Sequence, residues 1–427
     1  MLLLLVSIGF ALSLQEAISI AKERSPTLQI QRYRLQQAAL IWPQTLARVS
    51  PKIFLNANYT RNQQEIAFST TDFLTDLPDF IEIPTSAPVV IQPLNAQAWR
   101  ASLTQPLFDA QTPSLLMAAK AHIRSAQYQA QAVENAFTLS FAELFIRKQM
   151  IDQNIEILKI RSQLVKESME MAKMEYQSGA ISLQKKLDAQ IDHRSTDIQL
   201  LQLQNQSLEL QQQLEQLMGA SLPSKLSRTP LRPLPNDVQD AIQSATIHRS
   251  DGLSIQESLK KTMHQRRARL FEWIPVVESN LNYSYANNIA FSDQNTLWSI
   301  QVNANWLIWD GGIRLQQQRM DQIQSAIYDI ELKQKRDDIE NEIRTEWRKR
   351  DLLLSQLRKA RLDQDTAHLN LTTVTKGHEN QILRDWDLKQ AQLLLSQSDY
   401  LYEQVEAELY LQNFKILMLC YEGAFVP

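Results

Sequence analysis

The chain contains little glycine and almost no cysteine. Only 8 of its 427 residues are glycine, whereas average usage of about 7% would give roughly 30. Glycine-rich phosphate loops, nucleotide-binding turns and many-turned β-sandwiches all use glycine, so the composition disfavours each of these classes. The single cysteine, Cys420, permits no intrachain disulfide and no thiolate metal cluster. The composition instead favours long helices.

An excess of one charge sign is also missing. The chain has 44 Lys+Arg against 47 Asp+Glu, a formal net charge of −3. A dedicated nucleic-acid-binding protein would show a basic face, so we expect no nucleic-acid partner. With 44% hydrophobic and 21% charged residues, the sequence is typical of a folded protein.

Signatures of catalysis, metal binding and cofactor binding are likewise missing. No Gly-x-Ser-x-Gly nucleophile elbow occurs, and methionines such as Met169, Met171 and Met174 more often fill helix seams than bind metals. The histidines show no metal-ligand spacing; they are His122, His193, His248, His264, His368 and His378. We therefore predict no enzyme activity, no cofactor and no metal site.

Proline is absent from two long stretches. Nine of the 15 prolines lie between Pro26 and Pro113, the next is Pro223, and none lies between Pro275 and the terminal Pro427. Proline inside a helix costs about 3 kcal/mol. These stretches can therefore hold helices far longer than the usual length of about 11 residues.

The first residues, MLLLLVSIGFALS, form a short apolar run that ends in small residues. A membrane-spanning helix needs about 20 apolar residues, so this run is too short to be one. It resembles the apolar core of a secretory signal, although the usual preceding positive charge is missing. We predict a signal peptide over residues 1–13; the alternative is a buried N-terminal helix segment.

Alternation of apolar and polar residues predicts four strands. They span about 51–60, 97–108, 276–285 and 297–309. A proline-rich loop joins the first two strands, and a shorter loop joins the last two.

A long helical hairpin follows each strand pair. In the first, over about 113–219, a 4-3 spacing of seam residues runs from Phe141 to Ala172 and predicts coiled-coil packing. The turn of this hairpin contains Gly179, which suits a left-handed C-cap. The second hairpin covers about 311–420, with a break near Gly377.

The order of elements occurs twice, which predicts a tandem internal duplication. The first repeat covers residues 14–235, ending in a linker over 220–235, and the second covers residues 236–427. Each repeat has a helix, two strands and a long hairpin.

Aromatic residues lie near the ends of the apolar strand faces, as in the girdles of outer-membrane barrels. These are Tyr59, Trp99, Tyr283, Tyr285, Trp298 and Trp306. Strands of about 10 residues can cross a membrane when tilted. Four strands cannot close a barrel, and lipid does not tolerate an open sheet edge, so several chains would share one barrel. A soluble sheet packed on the helices is the alternative.

The order of elements and several motifs resemble the outer membrane efflux proteins of the TolC family. The motifs are Leu14-Gln15-Glu16-Ala17, Tyr176-Gln177-Ser178-Gly179, Leu187-Asp188-Ala189-Gln190, Leu217-Met218-Gly219 and Trp309-Asp310-Gly311-Gly312. Their order over nearly the whole chain carries the resemblance.

The resemblance implies an α+β membrane protein that forms a homotrimer. Four strands from each chain would make one twelve-stranded β-barrel, continued by an α-barrel of long antiparallel coiled-coil helices. Such a trimer is a passive exit duct in the cell outer membrane, in contact with outer-membrane lipid and extending into the periplasm. A periplasmic adaptor joins it to an inner-membrane pump of a tripartite efflux or type I secretion system. The alternative is a periplasmic coiled-coil scaffold or adaptor without a channel.

The resemblance also implies a periplasmic gate and a docking region. Aligned on Ala391, Asp387 falls at one acidic gate position of the family and Gln390 at the second; Asp385 and Glu379 are further candidates. Solvated turn charges are the alternative interpretation of these residues. We expect the hairpin tips around Gly179 and Gly377 to dock the adaptor.

Overall fold

The computed structural model describes residues 12–68, 88–222, 226–288, 294–383 and 385–425. Residues 1–11 of the predicted signal peptide therefore lie outside the described residues. The chain divides into two compact units. We call Met1–Gln36, Ser125–Gln256 and Ile330–Pro427 the helical unit, and Gln37–Arg124 and Glu257–Asp329 the sheet unit.

Long helices dominate the described residues. The helices are α1 (Leu14–Arg24), α2 (Pro26–Ala39), α3 (Ile41–Leu46), α4 (Thr112–Gln177), α5 (Leu183–Met218), α6 (Val238–His248), α7 (Ser250–Leu270), α8 (Ile313–Glu379) and α9 (Asp385–Tyr421). The strands are β1 (Leu12–Ser13), β2 (Lys52–Arg61), β3 (Ile66–Phe68), β4 (Val89–Gln92), β5 (Asn95–Phe108), β6 (Leu226–Ser227), β7 (Val276–Ala286) and β8 (Thr296–Asn305). With 66 and 67 residues, α4 and α8 confirm the helices that the missing prolines predicted.

The sheet unit contains a four-stranded antiparallel sheet in the order β2-β5-β7-β8. The fourth strand ends at Asn305, so the predicted end at 309 is wrong. Beyond it, the indole N–H of Trp306 donates to the carbonyl of Trp273 at 3.0 Å. The predicted loop between the first two strands also holds an antiparallel pair, β3 and β4.

The core of the helical unit is built from aromatic and aliphatic side chains of several helices. Phe141 and Phe145 of α4, Leu214 of α5, and Phe414 and Leu417 of α9 are all fully buried in one cluster. Burying such a side chain contributes about 1.5–3 kcal/mol. This cluster anchors both hairpins in one core.

Polar bonds fix the register within each hairpin. Ser162 Oγ on α4 donates to Asp197 Oδ1 on α5 at 3.1 Å. In the second hairpin, Gln364 Nε2 on α8 donates to Asp399 Oδ1 on α9 at 2.8 Å. The partners are 35 residues apart in both cases. Each return helix is therefore held to its outgoing helix at a corresponding level.

A buried arginine organises the junction between β8 and α8. Arg314 is 6% exposed, and its Nε donates to Asp310 Oδ2 at 3.0 Å. The two terminal nitrogens donate to the carbonyls of Glu272 at 2.9 Å and Leu307 at 2.6 Å. The guanidinium also lies over the Trp273 ring, 4.1 Å from its centroid. One side chain thus satisfies the backbone of two segments where the sheet ladder has ended.

Asp310 caps the start of α8 as well as pairing with Arg314. It accepts from the backbone N–H of Gly312 at 3.1 Å and of Arg314 at 2.9 Å. Burial raises the pKa of Asp310, but the hydrogen bonds from Arg314 and Gly312 outweigh it, so the pKa lies below its ordinary value. Gly311 and Gly312 have φ of 71° and 88°, which other residues rarely adopt. The two glycines let the chain turn sharply from sheet to helix.

We expect the substitution Arg314→Gln to lower the midpoint of guanidinium-induced unfolding, monitored by tryptophan fluorescence, because it leaves buried carbonyls and Asp310 without their cation. Arg319→Gln on the exposed side of the same helix is the matched control and should change stability by no more than about 0.5 kcal/mol. Equal midpoints for the two variants would contradict the organising role of Arg314.

Candidate functional site

One face of the four-stranded sheet is apolar and exposed. The strand register aligns Leu55 with Ala101 and Leu281 with Ile300. Leu55 is 74% exposed and Ile300 63% exposed. Within its own unit, this face therefore presents apolar side chains to its surroundings, contrary to the alternative of a soluble sheet packed on helices.

Five of the six predicted aromatic residues share this face. Trp99 pairs directly with Tyr285, and Tyr283 pairs with Trp298. The Trp99 ring lies 5.5 Å from Tyr283 and 6.1 Å from Tyr285, measured between centroids. Tyr59 lies on the same face by strand alternation. The sixth residue, Trp306, follows the end of β8.

The opposite face of the sheet is mainly polar. Here Asn56 is aligned with Arg100, and Thr104 Oγ1 donates to Asn280 Oδ1 at 2.6 Å. Phe54 is an exception to the pattern. A sheet with one apolar and one polar face, both exposed, suits a wall between lipid and water.

Both edges of this sheet are open among the described residues. The edge strand β2 pairs only with β5, and β8 pairs only with β7. Each edge therefore leaves a row of backbone N–H and C=O groups that can pair with another chain.

Apolar side chains also follow the outer faces of the long hairpins in the helical unit. Leu187, Ile191, Ile198, Leu201 and Leu208 of α5 are all exposed, and they fit a 4-3 spacing. Such a stripe is the pattern of a coiled-coil seam without its partner helix.

The first hairpin tip is closed by a Schellman motif. The N–H of Ala180 donates to the carbonyl of Glu175 at 2.8 Å, and the N–H of Gly179 donates to that of Tyr176 at 3.1 Å. Gly179 has φ of 79°, so glycine is favoured here for a conformational reason. The prediction of a left-handed C-cap at Gly179 is confirmed.

The second tip has the same motif at a different place from the one predicted. The N–H of Ile382 donates to the carbonyl of Gly377 at 2.9 Å, and the N–H of Gln381 donates to that of His378, also at 2.9 Å. Gln381, with φ of 60°, therefore occupies the left-handed position. The break predicted near Gly377 falls two residues later, because α8 continues to Glu379.

Gly377 is needed for packing rather than for backbone freedom. A Cβ at this position would lie 2.6 Å from Leu383 Cδ1, closer than nonbonded carbon atoms approach. Its missing side chain allows Leu383 to fold back over the end of α8. Sequence reasoning missed this role because it depends on a residue beyond the turn.

The four gate candidates lie around this second tip. Glu379 ends α8 and is exposed, Asp385 begins α9, Asp387 is half-buried, and Gln390 is exposed. The side chain of Asp385 lies outside the described part of the chain. The structure thus places all four near one turn.

Gln390 lines a cavity of about 350 Å³ between the two hairpins. The cavity is also lined by Asp188 and Asp192 of α5 and by Trp386 and Lys389 of α9. Acidic groups from the first hairpin therefore lie beside the candidate gate segment.

A salt bridge links the two hairpins next to this cavity. Lys389 Nζ on α9 contacts Glu167 Oε2 on α4. Hydrogen bonds from Lys389 and Gln163 lower the pKa of Glu167, which favours the ionised carboxylate at neutral pH. Sequence reasoning did not find this pair because its members are far apart in the chain.

The described residues contain neither a metal-ligand cluster nor a helix suited to spanning a membrane. No group of histidine, cysteine, aspartate and glutamate side chains in the described ranges is arranged to hold a metal ion. Nor is any helix in those ranges both long and apolar enough to cross a membrane.

Comparison with known proteins gives matches in sequence and in structure. Residues 17–220 match the sequence model of a family described as outer membrane efflux protein. No curated protein sequence matches the chain.

Solved outer-membrane proteins share the fold over almost its whole length. The outer membrane protein VceC of Vibrio cholerae is 15% identical, with a TM-score of 0.73 and 97% of each chain covered. The outer membrane channel CmeC of Campylobacter jejuni is 13% identical, with a TM-score of 0.76, covering 96% of this chain and 86% of its own. The open state of the Neisseria gonorrhoeae channel MtrE is 14% identical, with a TM-score of 0.61, covering 96% and 88%.

The expected TolC-type fold, a four-stranded sheet combined with long helical hairpins, is thereby confirmed for the single chain. Together with the sequence match over residues 17–220, this shows that the chain resembles the outer membrane efflux protein family.

Proposed function

We propose that three copies of this chain form a passive exit duct of a tripartite efflux or type I secretion system. The match to this family supports a location in the cell outer membrane, extending into the periplasm. In the proposed duct the sheet forms the membrane wall and the long hairpins form the periplasmic tunnel. Export energy would come from an inner-membrane pump through a periplasmic adaptor, and the duct itself would perform no chemistry.

The observation that carries this proposal is the open, two-faced sheet. Its exposed apolar face requires lipid or another apolar surface, and its edges require hydrogen-bond partners within lipid. Four strands are too few to close a barrel, whereas three copies give twelve. Pairing β2 of one copy with β8 of the next would satisfy both edges at once.

The exposed stripe on α5 supports the same assembly in the helical unit. The side chains of Ile198, Leu201 and Leu208 would be buried against a helix of a neighbouring copy. Each buried side chain of this type contributes about 1.5–3 kcal/mol. Sheet edges and helix stripes would then be covered in one trimer.

We expect protein extracted from outer membranes in mild detergent to have the mass of three 49.3 kDa chains, less any removed leader and after correction for bound detergent. Closure of the shared barrel makes the trimer stable, because separation would expose the edges to lipid. A soluble monomer or dimer would overturn the duct and favour the coiled-coil scaffold.

The Lys389–Glu167 bridge is the proposed tie that holds the tip of the duct closed. It joins the return helix of one hairpin to the outgoing helix of the other, beside Gln390 and Asp387. Moving the second hairpin outward would have to separate this pair. The acidic and amide candidates would then line the opening.

We expect Lys389→Gln to raise the conductance of the trimer in planar bilayers several-fold, because the tie between the hairpins is lost. Lys173→Gln on α4 makes the same charge change at an exposed lysine and should leave the conductance unchanged. Wild-type conductance in both variants would exclude the bridge as a gate. An equal increase in both would indicate a general effect of charge.

The hairpin tips are the proposed docking sites for the adaptor. Ile382 follows the left-handed turn of the second tip and is 77% exposed, so it is available to a partner and contributes little to the fold. Gly179 marks the corresponding turn of the first tip.

We expect Ile382→Asp to weaken adaptor binding about tenfold or more, the usual effect at the centre of an interface, while trimer mass and conductance stay normal. Ile247→Asp changes an exposed isoleucine of α6 and should bind the adaptor as the wild type does. Affinity measured by surface plasmon resonance with the purified adaptor checks this. Unchanged binding by the Ile382 variant would refute docking at this tip.

A further inference from the structure

We propose that a cavity in the sheet unit binds a phosphate group through Arg48, His122 and Lys261. The cavity has a volume of about 290 Å³ and lies between the end of α3, the first turns of α4, and α7. Thr45 and Gln265 are its other polar lining residues, and no acidic side chain is among the described residues that line it. Three basic groups, one just after α3, one on α4 and one on α7, therefore line the same cavity.

Lys261 lacks a counter-charge within the described part of the chain. The preceding residue, Lys260, differs in this respect, because its Nζ lies 2.6 Å from Glu257 Oε1. A half-buried ammonium without an anion is unfavourable, since burial removes part of its hydration. A bound anion would supply the missing charge.

Arg48 also keeps its hydrogen-bonding capacity. Its nearest carboxylate is Asp109, with 3.8 Å between Nε and Oδ2, which is too long for a hydrogen bond. Asp109 is already occupied, accepting from Thr112 Oγ1 at 2.7 Å and from the N–H of Gln111 at 3.0 Å. The guanidinium can therefore bind two phosphate oxygens at once.

His122 supplies a hydrogen-bond donor without adding a third positive charge to the cavity. Burial and the ammonium of Lys261 lower the pKa of His122, which favours the neutral ring. A neutral imidazole still offers one N–H to an oxyanion. The three groups thus provide two cations and one neutral donor.

The position of the cavity suggests where the phosphate would come from. Arg48 shortly precedes β2, which begins at Lys52, and His122 lies on the third turn of α4, which begins at Thr112. If the sheet crosses the membrane as proposed above, phospholipid headgroups reach this level. A lipid headgroup phosphate and free inorganic phosphate would both present the same oxyanion to these three residues. Only the headgroup source depends on the proposed function.

The test is isothermal titration calorimetry with inorganic phosphate on the full-length protein in phosphate-free detergent solution. We expect saturable binding by the wild type, and affinity reduced about tenfold or more in Lys261→Gln, because a charge-assisted hydrogen bond is lost. Lys260→Gln is the matched control and should bind like the wild type. Equal binding by all three proteins, or none by the wild type, would overturn the proposal.

A second measurement separates the two sources. Native mass spectrometry would count the phosphatidylglycerol molecules retained by the protein after transfer from vesicles of that lipid. Retention lost in Lys261→Gln and kept in Lys260→Gln identifies a headgroup site, whereas phosphate binding without such retention identifies a free-anion site. The same spectra also report the oligomeric mass. If the trimer is intact but the wild type binds neither phosphate nor phosphatidylglycerol, only this site is refuted and the proposed duct is not.

Discussion

The need to satisfy backbone hydrogen bonds at the sheet edges constrains this protein more than any single side-chain contact. The sheet has an exposed apolar face, and an exposed edge in an apolar medium leaves N–H and C=O groups unpaired at several kcal/mol each. In the proposed duct, the edge strands β2 and β8 would therefore pair with strands of neighbouring copies. The same neighbours would cover the exposed apolar stripe on α5.

The junction between sheet and helix shows how the chain changes from one hydrogen-bonding scheme to another. A strand depends on neighbouring strands, whereas a helix satisfies its own backbone except at its ends. Between them the carbonyls of Leu307 and Glu272 have neither kind of partner, and Arg314 provides one. Asp310 holds that arginine in place and also caps α8. One ion pair therefore satisfies backbone groups at the end of the sheet and at the start of the helix.

Much of this architecture was predictable from local patterns. The absence of proline predicted α4 and α8, and the alternation of apolar and polar residues predicted the four main strands. The left-handed conformation predicted at Gly179 was also correct. The errors occurred where a distant contact decides the structure. The second turn was predicted near Gly377, but it follows that residue: Leu383 packs over Gly377, and Gln381 has the left-handed conformation. The strand β8 ends earlier than its alternation suggests because Trp306 and Leu307 bond elsewhere.

The sequence by itself determined the element types, their order and the segregation of apolar and polar residues on the strands, because these depend on near neighbours in the chain. Tertiary structure alone decided which distant charges meet. The Lys389–Glu167 bridge joins two helices, and the cavity lined by Arg48, His122 and Lys261 brings together three separate segments of the chain. Their encounter is set by helix packing and register, which local periodicity does not encode.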